Sequence, residues 1–297
     1  MTAAATPRLA FPALAVGSTC LAFGPWLVRM SDSGPISAGV WRMALSVPLM
    51  LLILRARGLS LPIGKAAPVG ALLLAGLFFA MDLLSWHLGI MRTTLANATL
   101  FANISSFLFA IYGFWLARRA PGRVATIAML LAALGALLLL GRSYSFSPRN
   151  FAGDLMCMLA GLCYTGYLIV MERTRGRVSA LPALAVISTA CIPPLLAVAL
   201  LAGEPVLPHD WTPLVLLAIG SQLVGQGLVL YAIAYLRPMV VGLTLLTQPI
   251  ISGIIGWYRY GEVLGTADLA GAAMIGVALV LVRLPDRRVA SVDGIAG

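Results

Sequence analysis

Leu72 to Met91, LLLAGLFFAMDLLSWHLGIM, is the stretch that decides the fold. It is long enough to cross the roughly 30 Å hydrocarbon core of a bilayer as a helix. Yet it carries one carboxylate, Asp82, deep inside an otherwise lipid-like run. An unpaired ionisable side chain at mid-membrane costs at least about 2.5–3.5 kcal/mol, so its default reading is a functional one, with a partner or a water-filled cavity. The rest of the sequence has to supply that partner.

Outward from this stretch, runs of the same kind recur from Phe11 almost to the C-terminus. The chain has 297 residues, of which 61% are hydrophobic and 10% charged, where a soluble domain carries about 25% charged residues. A polytopic all-α membrane protein follows, with no segment left for a sizeable soluble domain. The formal charge of +10 does not point to nucleic acid, because the arginines sit in short connections and form no basic, aromatic-interleaved tract. Cys20, Cys157, Cys163 and Cys191 fall within spans and show no paired ligand spacing, so no disulfide, metal or other cofactor is expected. The run after Arg8 lacks a small-residue cleavage site and reads as a retained first helix.

Breaks at charges, Pro and Gly divide the chain into ten spans: Phe11 to Val28, Ile36 to Leu54, Ala67 to Ile90, Leu95 to Leu116, Val124 to Gly141, Ala152 to Met171, Leu181 to Ala202, Thr212 to Tyr235, Met239 to Tyr258 and Gly265 to Val282. Five precede the polar connection Gly141 to Phe151 and five follow it. A shift of 141 residues lays Ala132–Leu140 over Ala273–Leu281 and Arg118 over Arg259. The expected plan is two inverted five-helix repeats, residues 11–141 and 152–282, around a central cavity, with a short cytoplasmic tail at 283–297; the substrate site of such folds lies between the repeats. With the N-terminus inside, 14 of the 20 basic residues fall on the cytoplasmic side, which places both termini there. Trp26, Trp41, Trp115, Trp211 and Trp257 are read as interfacial anchors.

Intramembrane polar residues concentrate in the third, fourth, eighth and ninth spans. Helical periodicity puts Asp82, Ser85, Trp86 and Gly89 on one face, aligns Thr99, Asn103 and Ser106, then Gln222, Gly225, Gln226 and Val229, then Thr244, Thr247 and Gln248. The repeat shift lays Ser85 over Gln226 and Asn103 over Thr244. A cavity lined by these four spans is expected, with Phe78, Trp86, Phe101, Phe107, Tyr164 and Tyr167 as its walls; interhelical hydrogen bonding is the competing account of each amide. Asp82 has three readings: contact with a substrate ammonium, exchange of a proton that drives transport, or a structural pair with Arg92 or another outer-side cation. His87 points about 140° away from Asp82 at 100° per residue and reads as a packed histidine. Arg42 is read as snorkelling to the outer interface. Pro249 beside Gln248 is a place where a carbonyl is freed toward the cavity, and Pro193-Pro194 bends its helix.

The pattern resembles the drug/metabolite transporter superfamily, in its ten-helix EamA-type branch, over about Phe11 to Val282. The residues that carry the resemblance are Trp41-Arg42-Met43-Ala44 early in the second span, Gln248-Pro249 in the ninth, and Gly261-Glu262 ahead of a Gly-rich last helix. Where a Gly-Glu pair is usual in the first half, the chain reads Arg119-Ala120-Pro121-Gly122. The resemblance implies a secondary transporter of a bacterial inner membrane that exports or exchanges small metabolites by alternating access, with amino acids, including aromatic ones, as the foremost class. The expected substrate-binding set is Asp82, Ser85, Trp86, Thr99, Asn103, Tyr164, Gln222, Gln226, Thr244 and Gln248. The expected partners are the small-molecule substrate, membrane lipid and a coupled proton. The alternatives are a multidrug or amine efflux carrier, a non-transporting membrane partner, and a lipid-acting membrane enzyme, for which no His-Glu-x-x-His, paired aspartates or Ser-His-Asp set is present.

Overall fold

A computed structural model of the chain describes residues 8–63, 67–93, 95–118, 120–140, 148–260 and 266–283. Among these residues the structure is helical, with no strand. In hydrocarbon every backbone N–H and C=O has to be satisfied within the segment, which leaves the helix as the form an apolar run of this length adopts.

Helices α1 (Ala10–Ala22), α2 (Gly24–Met30), α3 (Pro35–Ala56) and α4 (Val69–Ile90) are followed by α5 (Leu95–Ala102), α6 (Ile104–Ala117) and α7 (Arg123–Leu140). Then come α8 (Pro148–Arg173), α9 (Ala180–Leu201) and α10 (Thr212–Leu216), a π-helical segment over Leu217–Gln226, α11 (Gly227–Ile233), α12 (Pro238–Leu245), α13 (Thr247–Tyr260) and α14 (Thr266–Arg283). Among the described residues seven stretches are long and apolar enough to cross a membrane: Ala10–Met30, Pro35–Ala56, Val69–Ile90, Phe151–Arg173, Ala180–Leu201, Thr212–Ile233 and Pro238–Arg259. Three shorter apolar helices accompany them, at Ile104–Ala117, Arg123–Gly135 and Leu269–Ala278. The expected span positions agree with these helices to within a few residues. Gly261, Glu262, most of the central connection and the C-terminal tail beyond Arg283 lie outside the described residues.

The helix ends follow local chemistry. Pro25, Pro35, Pro213 and Pro238 stand in the first turn of α2, α3, α10 and α12, where the missing N–H costs nothing. α3 and α9 each finish on a glycine with positive φ, Gly58 at 63° and Gly203 at 65°. In both, the next N–H reaches back to close the helix, Leu59 N to Leu54 O at 2.9 Å and Glu204 N to Ala199 O at 3.1 Å.

Three expected spans are interrupted and another changes helix type. The first breaks at Phe23, ahead of Pro25; the fourth breaks at Asn103; the ninth breaks at Leu246; and the eighth widens into the π segment. The main body packs α4 against α8 and α9, α3 against α9, and α1 against the π segment and α11, while α6 lies on α12 and α7 on α14. One core joins α1, α3, α4, α8, α9 and α11 around Phe79 and Tyr167, whose rings stack at 4.9 Å. Tight glycine contacts set these distances: a Cβ on Gly17 would stand 2.9 Å from the carbonyl of Gly225, so α1 lies directly on the π segment. The outward faces of α4, α7 and α8 stay apolar and exposed, at residues such as Leu73, Leu77, Leu130, Leu134 and Leu159.

One end of the bundle is fastened by a clasp between the α2–α3 and α9–α10 connections. Glu204 accepts from the backbone N–H of Ile36 and Ser37 at 3.3 and 2.9 Å, capping an α3 N-terminus that has no cap of its own. Asp32 returns the arrangement, accepting from His209 N and Asp210 N at 2.8 and 3.1 Å. Trp41 donates from Nε1 to Val206 O and meets Trp211 edge-on at 4.8 Å.

Candidate functional site

A cavity of about 60 Å³ opens in the interior of the bundle, at the level of Asp82. Asp82 stands eight residues before the end of α4 at Ile90, about 12 Å at ~1.5 Å per residue, so it is deep in its span. α4 contributes Phe79, Asp82, Leu83 and Trp86, and α8 contributes Tyr164. The irregular pieces supply much of the rest. Ala102, Asn103 and Ser105 come from the α5–α6 break, Leu245 and Gln248 from either side of the α12–α13 break, and Gln226 from the last position of the π segment. Leu21 and Arg42 complete the lining from α1 and α3. Interrupting a helix turns polar groups toward a cavity while neighbouring groups re-satisfy the backbone, and π-helical turns are over-represented at functional sites.

Six of the ten expected site residues therefore meet at one cavity: Asp82, Trp86, Asn103, Tyr164, Gln226 and Gln248. The other four do not line it. Thr99 and Thr244 turn their hydroxyls onto their own helices, to Leu95 O at 2.8 Å and Val240 O at 2.7 Å, the local bond that competes with any longer-range partner. Ser85 is buried beside the cavity without lining it. Gln222 joins helices: it accepts from Arg42 Nε at 3.0 Å and donates from Nε2 to Ser188 Oγ at 2.9 Å. Asn103 also looks after its own break, donating to Thr99 O at 2.7 Å and accepting from Ser106 Oγ at 3.2 Å. Pro249 lies in the first turn of α13, where its missing N–H breaks no bond.

Arg42 corrects the sequence reading. It does not snorkel to an interface; it is 3% exposed and lines the cavity. Position 42 is seven residues into α3, about 10 Å along the helix axis, and α9, α4 and the π segment stand against that helix. The guanidinium carbon lies 5.8 Å from the Phe79 ring centroid, within cation–π range. Arg92 is likewise not the partner of Asp82, since its guanidinium engages Leu88 O and Met156 Sδ. The cation that shares the Asp82 cavity is Arg42. Periodicity could not find it, because depth and surroundings, not the face of α3, decide where its charge goes.

The cavity also holds unused donors. Tyr164 donates its hydroxyl to Gln226 Oε1 at 2.9 Å, which fixes that amide and leaves Gln226 Nε2 without a partner among the described residues. Trp86 Nε1 is likewise buried and without a partner. Buried polar groups are normally satisfied, so these two orphan N–H donors stand out on residues that line the cavity, although neither nitrogen is itself open to it. His87 is elsewhere, as its helical phase requires: Nδ1 bonds Pro35 O at 2.7 Å and the ring packs against Gly39 of α3. Phe79 is the aromatic wall that the sequence reading missed, and Tyr167 stacks behind it. Among the described residues no three His, Cys, Asp or Glu side chains come together to hold a metal ion.

The fold thus places a polar, charge-lined cavity inside a bundle of membrane-length helices. Residues 151–284, somewhat under half of the chain, match the EamA-like transporter family. The pseudopaline exporter CntI of Pseudomonas aeruginosa, in strains UCBPP-PA14 and PAO1, is 25% identical to the chain over 245 residues, covering 81% of this chain and 83% of the relative. A solved crystal structure at 19% identity superposes with a TM-score of 0.76, covering 95% of this chain and 97% of the other, which supports the fold.

Proposed function

We propose that the chain is a secondary exporter of small amine-bearing metabolites, amino acids first among them, which it binds in the Asp82 cavity and releases by alternating access across a bacterial inner membrane. The observation that carries this is the cavity itself: one buried carboxylate, two unpartnered N–H donors and an aromatic wall, enclosed by helices from both halves of the chain. The likeness to a pseudopaline exporter supports export of a small metabolite. Asp82 takes the substrate ammonium or a coupled proton.

The packing favours ten spans in two inverted repeats, residues 11–141 and 152–282, with the three shorter apolar helices as further crossings. A two-fold relating the halves exchanges the contact of α4 with α8 for that of α1 with the π segment and α11, and the contact of α6 with α12 for that of α13 with α5, and leaves α3 with α9 and α7 with α14 paired to their own counterparts. All of these contacts are present, and α3 and α9 end on the same glycine-closed turn. Such a plan allows one repeat to rock against the other around a central site. The basic-residue count keeps both termini cytoplasmic.

The test is a counterflow screen in proteoliposomes, with amino acids and simple amines as cargo, on the wild type and Asp82→Asn. Saturable exchange of an amine-bearing solute is expected, with Asp82→Asn losing at least ten-fold in uptake. A wild type that moves none of them under any gradient refutes the reading. Exchange of amines alone, without amino acids, converts it to an amine efflux carrier.

A further inference from the structure

We infer that Arg42 is an anion anchor, so that the cavity selects solutes carrying a carboxylate as well as an amine. This rests on the transporter reading above and names the second half of the ligand. A guanidinium has five N–H donors in a fixed fork. In Arg42 one of them, on Nε, is committed to Gln222 Oε1 at 3.0 Å, and Ser188 Oγ fixes that amide from behind at 2.9 Å. No bond to a described residue occupies the two terminal nitrogens, although the side chain lines the cavity. The contrast with Arg92 is direct, since its terminal nitrogen is spent on the Leu88 carbonyl.

A wholly structural arginine at this depth would be expected to fill its fork, because each unsatisfied donor in a dry interior costs free energy. Arg42 has its stem tethered and its fork open. Asp82 lines the same cavity, but no oxygen of it comes within 4.0 Å of an Arg42 nitrogen. One carboxyl and one guanidinium therefore face a shared space without closing on each other. A ligand bearing an ammonium and a carboxylate neutralises both, and the planar fork suits bidentate capture of the carboxylate. A simple amine leaves the arginine uncompensated, and a simple acid leaves the aspartate so. Discrimination against a ligand that leaves a buried polar group unpaired is steep.

The experiment measures equilibrium binding to the detergent-purified full-length chain. The probes are matched triplets: an amino acid, the amine lacking its carboxylate, and the acid lacking its amine, as in phenylalanine, phenethylamine and 3-phenylpropionate, repeated across the common amino acids. At least one amino acid is expected to bind ten-fold or more tightly than both of its truncated analogues. Arg42→Gln should erase the advantage over the amine by lowering amino-acid affinity ten-fold or more without weakening amine binding, while Arg42→Lys restores part of it. The wild-type comparison stands even where a variant fails to fold. Equal binding of amino acid and amine, equal losses of both in Arg42→Gln, or binding of no triplet member each overturns the inference. Discriminating binding without counterflow would refute the transporter reading and leave the anchor standing. Counterflow that is indifferent to the carboxylate would do the reverse.

Discussion

Glu204→Gln tests whether the clasp between the α2–α3 and α9–α10 connections is a gate. Both carboxylate oxygens accept backbone N–H groups of α3, Ile36 at 3.3 Å and Ser37 at 2.9 Å. The amide keeps one acceptor and turns an NH₂ donor toward the other N–H. Losing an N-terminal cap costs about 1 kcal/mol, within a range of ~0.5–2. Losing a negative charge beside a helix N-terminus costs ~0.3–1 kcal/mol more. The sum is about 1–2 kcal/mol against the closed state, or a rise of roughly 5- to 30-fold in the open-to-closed ratio. The helices themselves keep their packing, so melting should move little. The assay places a cysteine at Ala102, which lines the cavity, in a background without the native cysteines, and follows labelling by an impermeant maleimide applied from the side on which the α2–α3 and α9–α10 connections lie. The expected result is labelling accelerated about 5- to 30-fold. Gly34→Ala should act in the same direction, because a Cβ there collides with the Glu204 carboxylate. Labelling within two-fold of the parent in both variants would show that the clasp does not gate access to the cavity.

The other half of the clasp carries a pH prediction. Slight desolvation pushes the Asp32 carboxyl up, but the backbone N–H groups of His209 and Asp210 prevail and hold it below its ordinary 3.8. A carboxyl lowered by folding contributes stability that is complete above the unfolded value and lost as pH falls through the folded one. Maleimide accessibility of the Ala102 position is therefore expected to be flat between pH 5 and 8 after correction for reagent chemistry, and a rise in that window would refute the role given to Asp32. At the α4–α8 contact, a Cβ on Gly89 would stand 2.5 Å from Cys157 Sγ and 3.0 Å from Gly153 O. Gly89→Ala should cost about 1–3 kcal/mol by overpacking, read as a lower melting temperature, and Gly89→Ala with Cys157→Ala should recover part of the loss. No recovery would show that the Gly153 carbonyl, not the thiol, sets the spacing.

The sequence by itself determined that the chain is a bundle of membrane-length helices, because run length and backbone satisfaction in lipid leave no alternative. It also determined which side of α4 faces inward, since Asp82 and Trp86 share a helical phase and both reach the cavity, while His87 is out of phase and packs on α3. Tertiary structure decided the rest. Thr99 and Thr244 have the phase of cavity residues but spend their hydroxyls on their own carbonyls, and periodicity fixes only the direction of a side chain, not its choice of partner. The break at Asn103 has no proline or glycine beside it to announce it, yet it opens the wall where Ala102 and Ser105 enter. Arg42 shows the limit most clearly. An arginine early in a span can reach an interface or turn inward, and the flexible stem permits either. The helices packed against α3 and the Gln222–Ser188 pair hold this one inside, beside the carboxylate that the sequence had left without a partner.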